Sequence, residues 1–147
     1  MDSSTVTDPA NRIGELLRYG WAAPTSLIGL GLAGLATLTG GHATVVAGVL
    51  EVEGGAVRHL LRHATLLQGG AAAMTLGHVV VAQDPAALAQ CRSHERVHVR
   101  QAERWGPAFL PAYAIASLLA ALRGGHFYRD NAFELAACRE ERPTAPA

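Results

Sequence analysis

SHERVHVRQAERW, residues 93–105, superimposes a metal-ligand spacing on a helical pattern. At about 100° per residue, His94 and His98 fall within about 40° of one another on one face of an α-helix, so both imidazoles can reach a single ion. Glu95 lies beside them. Projected from Leu88 onward, the same helix gathers Leu88, Cys91, His94, His98, Gln101, Ala102 and Trp105 on one side, and Arg92, Arg96, Arg100 and Glu103 on the other. The arginine stripe, with Arg104 at its margin, is expected to face solvent, which turns the HExxH residues toward the interior or a cleft. Buried polar groups need partners, and a metal ion is one.

A catalytic zinc takes three protein ligands and keeps a position for water, so two histidines are one ligand short. An extended HExxHxxGxxH motif would supply a third histidine, but Gln101 and Arg104 stand at those two positions. Glu134, 36 residues after His98, is the best remaining candidate, with His126 in reserve. Asn131-x-x-Glu134 also reads as the start of a helix in a capping box, where Glu134 would merely satisfy backbone N–H groups. Gln101, one turn after His98 on the same face, is placed either to orient an imidazole, to bind substrate, or simply to pack. His126, Tyr128 and Arg129 are candidate donors to a developing oxyanion.

With Glu134 downstream, the motif resembles the gluzincin group of zinc metallopeptidases over roughly residues 75–138, and the HExxHxxQ extension is similar to compact bacterial HExxH proteins. The resemblance implies a zinc cofactor held by His94, His98 and Glu134, a minimal zincin-like core, and an edge strand, Thr75 to Gln83, that aligns a peptide. The expected chemistry is hydrolysis of a peptide or amide bond, with Glu95 as general base toward a zinc-activated water. Two other readings stay open: a zinc enzyme acting on a non-peptide, lipid-like substrate, and a non-catalytic membrane-associated interaction protein.

Length and charge narrow the classes. At 147 residues the chain has room for one catalytic domain and none for a separate substrate domain. Net charge is zero, every basic residue is Arg, and the arginines are interleaved with acids, which argues against nucleic acid as a partner. Two cysteines, Cys91 and Cys138, are too few for a disulfide scaffold. Cys91 shares the histidine face and is read as a small buried thiol rather than a ligand.

No charged residue occurs from Tyr19 to Leu50, and residues 22–39 are expected to form an apolar helix, a single-span membrane anchor. Gly29, Gly31 and Gly34 inside it spell GxGxxG, but no strand precedes them, so they are read as helix-packing residues rather than a nucleotide loop. Trp105 to Leu122 is a second uncharged stretch, expected to pack as a core or interface helix.

The expected fold is α+β and mostly helical. Residues 1–20 form an N-terminal segment ending in a short helix, 21–41 the apolar helix, 42–142 the metal-binding domain, and 143–147 a disordered tail. Within the domain, Ala43 to Val52 and Thr75 to Gln83 read as two paired strands of a small antiparallel sheet. Val57 to Leu67 is a helix between them, with His59 and His63 on a solvated face, and a last helix runs over 131–141.

Overall fold

The computed structural model describes residues 9–141, so the expectations for the first eight residues and for the tail fall outside it. Five α-helices and four strands follow one another as α1 (Pro9–Leu38), β1 (His42–Val46), β2 (Val49–Glu53), α2 (Gly55–His63), β3 (Ala73–Leu76), β4 (Val79–Ala82), α3 (Pro85–Trp105), a 3₁₀ turn (Gly106–Ala108), α4 (Phe109–Leu122) and α5 (Ala132–Glu141). The α+β, mostly helical class holds.

The sheet corrects the sequence reading twice. Each expected strand is a hairpin, because a two-residue turn lies hidden in its middle: Ala47-Gly48, both at positive φ, and Gly77-His78, with Gly77 at positive φ. Such turns match the twist of antiparallel strands, and neither carries the Asn or Asp that would have advertised it. The sheet is also mixed rather than antiparallel, in the order β1-β2-β4-β3 with β2 and β4 parallel. Helix α2 supplies the crossover that a parallel pair requires.

Period-two alternation along β4 sends Val79 and Val81 to one face, and Val80 and Ala82 to the other. On the first face Val79, Val81 and Val52 meet Ala33 and Ala36 of α1, and Val57 and Leu61 of α2. On the second, Val80, Ala82 and Val49 meet Leu88 and Val99 of α3. The sheet is thus the middle of three layers. The HExxH helix lies on one side and the long apolar helix on the other.

Helix α1 is continuous, so the expected break near residue 20 is absent, and Pro24 stands inside the helix. Its buried positions, Ala22, Thr25, Ala33 and Ala36, form a small-residue seam on the sheet. Gly29 belongs to that seam, since a Cβ there would collide with Val79, whereas Gly31 and Gly34 look onto open space. Close packing therefore explains one glycine of the three. The opposite side of α1 leaves Trp21, Leu27, Ile28, Leu30, Leu35 and Leu38 exposed, and α4 leaves Ile115, Leu118, Leu119 and Leu122 exposed. Two helical stretches, Arg12–Leu38 and Pro85–Leu122, are long and apolar enough to cross a membrane. In the second, the uncharged part begins only at Trp105.

Helix α3 starts where sequence chemistry requires: the Asp84 side chain accepts the Ala87 N–H and Pro85 fills the first turn. It stops at Gly106, whose positive φ and lack of a Cβ let the Trp21 indole pack against the chain. The arginine stripe does not simply face solvent. Arg92 and Arg96 converge on Glu51 of β2, which is only 3% exposed, in bonds of 2.9 to 3.1 Å. Arg96 also donates to the Val46 carbonyl at 2.6 Å, Arg100 pairs with Glu140, and Glu103 pairs with His78. The sequence pattern could not show that an acid on a strand waits beneath the stripe.

Burial pushes the Glu51 carboxyl up, but the hydrogen bonds and charges of Arg92 and Arg96 outweigh it and hold the group below its ordinary value. A depressed carboxylate contributes stability at neutral pH that is lost as pH falls from the ordinary range through the folded value. Glu51→Ala is expected to lower stability by about 1–2 kcal/mol in urea unfolding at pH 7, since Arg96 loses a carboxylate partner while the half-exposed Arg92 turns to water. The difference from wild type should shrink as pH falls below about 4.5. A difference that stays constant from pH 7 to 3 would contradict the ion-pair origin.

Candidate metal centre

Three elements deliver the site. Helix α3 presents His94, Glu95 and His98, α5 presents Glu134 from its first turn, and α4 presents Tyr113. The His94 and His98 Nε2 atoms lie 3.1 Å apart, and Glu134 places Oε2 2.9 Å from His94 Nε2 and Oε1 3.2 Å from His98 Nε2. Among the described residues these three form the group of metal-ligating side chains.

The donor set fits a zinc ion. Bonds of about 2.0–2.1 Å in a tetrahedral arrangement put donors roughly 3.3 Å apart, and two imidazoles with one carboxylate are a known catalytic zinc set. Both imidazoles also have their second nitrogen engaged. His98 Nδ1 lies 2.8 Å from Gln101 Oε1, and the Gln101 amide donates to the Phe133 carbonyl, which fixes which way the amide points. His94 Nδ1 lies 3.3 Å from Glu141 Oε2. With Nδ1 able to donate in each ring, each Nε2 points at Glu134, donating to it in the metal-free protein and free to bind a metal once that proton is displaced.

Charge follows geometry. The Glu134 hydrogen bond, the largest influence, raises His94 to about 9 against the opposing effect of burial. Burial raises Glu134, but hydrogen bonds from His94, His98 and Tyr113 overcome it and hold the carboxyl far below the usual range. The Glu134 carboxylate is thus kept ionised, and a metal entering at neutral pH would have to displace a proton from His94.

Glu95 points beside this group. It is 5% exposed, and its Oε2 accepts the Thr75 hydroxyl of edge strand β3 at 2.6 Å. Burial raises the Glu95 carboxyl, although Thr75 and the two histidines pull the other way.

The remaining sequence candidates divide. Gln101 is at the site as the partner of His98. The Tyr128 hydroxyl is near enough to be raised by burial and by the charges of Glu134 and Glu95. His126 is not among the clustered ligands: its Nδ1 accepts the Tyr128 and Arg129 backbone N–H groups in the turn after α4. Arg129 is exposed. Glu134 is not the cap of its helix, because its carboxylate turns to the histidines while Asn131 Oδ1 accepts the Phe133 N–H. Cys91 and Cys138 are free thiols, and burial, followed by Glu95 and Glu141, raises Cys91. Three partners escaped sequence reasoning: Thr75, Tyr113 and Glu141. Only Tyr113, following Phe109 at helical spacing in an apolar segment where Ser117 is the other hydroxyl, left a trace there.

Comparison with family models, with curated proteins and with solved structures gives no match.

Proposed function

We propose that this protein is a zinc-dependent metallohydrolase that cleaves a peptide or amide bond, with His94, His98 and Glu134 as ligands and Glu95 as general base. The observation that carries the reading is the convergence of two Nε2 atoms and one carboxylate within 3.2 Å, with a buried glutamate alongside. A zinc ion held by His94, His98 and Glu134 would supply a Lewis acid able to acidify water and polarise a carbonyl. Glu95 takes the proton from the attacking water and returns it to the leaving amine. The Thr75 hydroxyl, donating to Glu95 Oε2, holds the carboxylate in place for that transfer. Of the expected oxyanion donors, Tyr128, from the turn before α5, is the one whose hydroxyl comes close to Glu134 and Glu95, and its bond to Glu134 would have to open for it to serve a substrate.

The exposed apolar sides of α1 and α4 support membrane association, with α1 as the anchor, and favour a membrane-borne substrate. The same surfaces are the reason to keep a second reading, a lipid-like substrate carrying an ester or amide. Metal analysis tests the shared part. Protein purified in detergent without chelators should carry about one zinc per chain, or regain it on addition. Product analysis with peptide and acyl-lipid substrates then separates the two, and a chain that neither holds nor takes up zinc is neither enzyme.

A further inference from the structure

Glu134 has two carboxylate oxygens, and they are not equivalent. Oε2 lies 2.9 Å from His94 Nε2, whereas Oε1 accepts the Tyr113 hydroxyl at 2.5 Å as well as approaching His98, and the Tyr128 hydroxyl also bonds the carboxylate. The phenol is held on several sides. Its ring stacks on Phe133 with centroids 6.0 Å apart and meets Phe109 and His98 edge-on. Below it, Asn131 is fully buried and braces the two helices: Nδ2 donates to the Tyr113 carbonyl at 3.1 Å and to Ser117 Oγ at 2.8 Å, while Oδ1 accepts the Phe133 N–H. The distance between Tyr113 on α4 and Glu134 on α5 is therefore set by a rigid cross-brace, although a long turn joins the helices in sequence.

We propose that Tyr113 is a positioning residue for the third metal ligand: its hydroxyl engages one oxygen of Glu134 and leaves the other to the metal. The inference rests on the metal-site reading above. A glutamate side chain has three rotatable bonds and two equivalent donors, so an untethered one can chelate with both oxygens or swing away. Tyr113 removes both freedoms. Its single O–H is committed to a carboxylate, so it is not available to a substrate, and its effect should appear in metal affinity rather than in turnover of the zinc-loaded enzyme.

The test is zinc affinity of the full chain in detergent, by competition with a chromogenic chelator, for wild type, Tyr113→Phe, Glu134→Gln and the double variant. Tyr113→Phe is expected to weaken binding about 10–100-fold in the wild-type background. In the Glu134→Gln background it should weaken binding less than about threefold, because the two residues act as one unit. The visible spectrum of the cobalt(II) form should change on Tyr113→Phe, with lower intensity as Glu134 begins to bind through both oxygens. Placing 4-aminophenylalanine at 113 keeps the ring and a donor, so affinity should return to within about threefold of wild type; this arm stands even where Tyr113→Phe fails to fold. Wild-type affinity in Tyr113→Phe, equal losses in both backgrounds, or no recovery with the amino analogue would overturn the proposal. A wild-type chain that takes up no zinc overturns the metal reading itself, and is a different result.

Discussion

Glu95→Gln should leave zinc content unchanged and abolish turnover. The amide keeps the shape of the carboxylate and can still meet the Thr75 hydroxyl, so the fold and the ligand set lose little. What disappears is a basic oxygen beside the metal site. General-base contributions are about 10²–10⁴-fold, and a residue that also returns the proton to the leaving group belongs at the upper end. The expected loss in kcat is therefore about 10³–10⁴-fold, with KM within a few-fold, measured on whichever substrate class the product analysis identifies. Turnover retained within tenfold of wild type by a zinc-loaded Glu95→Gln chain would remove Glu95 from the role of base.

The second large effect is on the metal. Glu134→Gln should lower zinc affinity by more than about 100-fold, beyond the range typical of residues that only support a ligand. Two imidazoles and a neutral amide oxygen lack the charge that the cluster now offers a divalent cation. The same change removes the largest influence raising His94, so its imidazole should titrate nearer its ordinary range, which NMR of the metal-free protein can follow. Affinity close to wild type would mean that the metal, if held, finds its third ligand elsewhere. Glu134 would then be an acid that hydrogen-bonds two histidines.

The helix that carries HExxH was legible because its information is local. The four-residue spacing of His94 and His98 fixes a shared face wherever the helix is placed, while its start at Asp84-Pro85 and its end at Gly106 are seen in the structure. The same logic made Glu95 and Gln101 neighbours of the site. It failed for the arginines, since a stripe of charge on a helix reads as solvent-facing until a partner is known. Glu51, 41 residues before Arg92, supplies that partner from a strand. It failed also for the sheet, where Ala47-Gly48 and Gly77-His78 reverse the chain on a single glycine each inside an apolar run, with no Asn or Asp beside it, and where parallel pairing of β2 with β4 depends on how α2 crosses.

Sequence by itself determined the chemistry on offer: two imidazoles and a carboxylate at fixed helical spacing, a long uncharged helix, and an α+β chain of one domain's length. Tertiary structure alone decided which distant groups complete it. Asn131-x-x-Glu134 is the same string whether Glu134 caps its own helix or turns to the histidines, and only the packing of α5 against α3 and α4 selects the second. The physical reason is range. Backbone periodicity sets angles within one helix, while the position of a carboxylate 36 residues away depends on packing and buried hydrogen bonds, Asn131's among them, that no local pattern encodes.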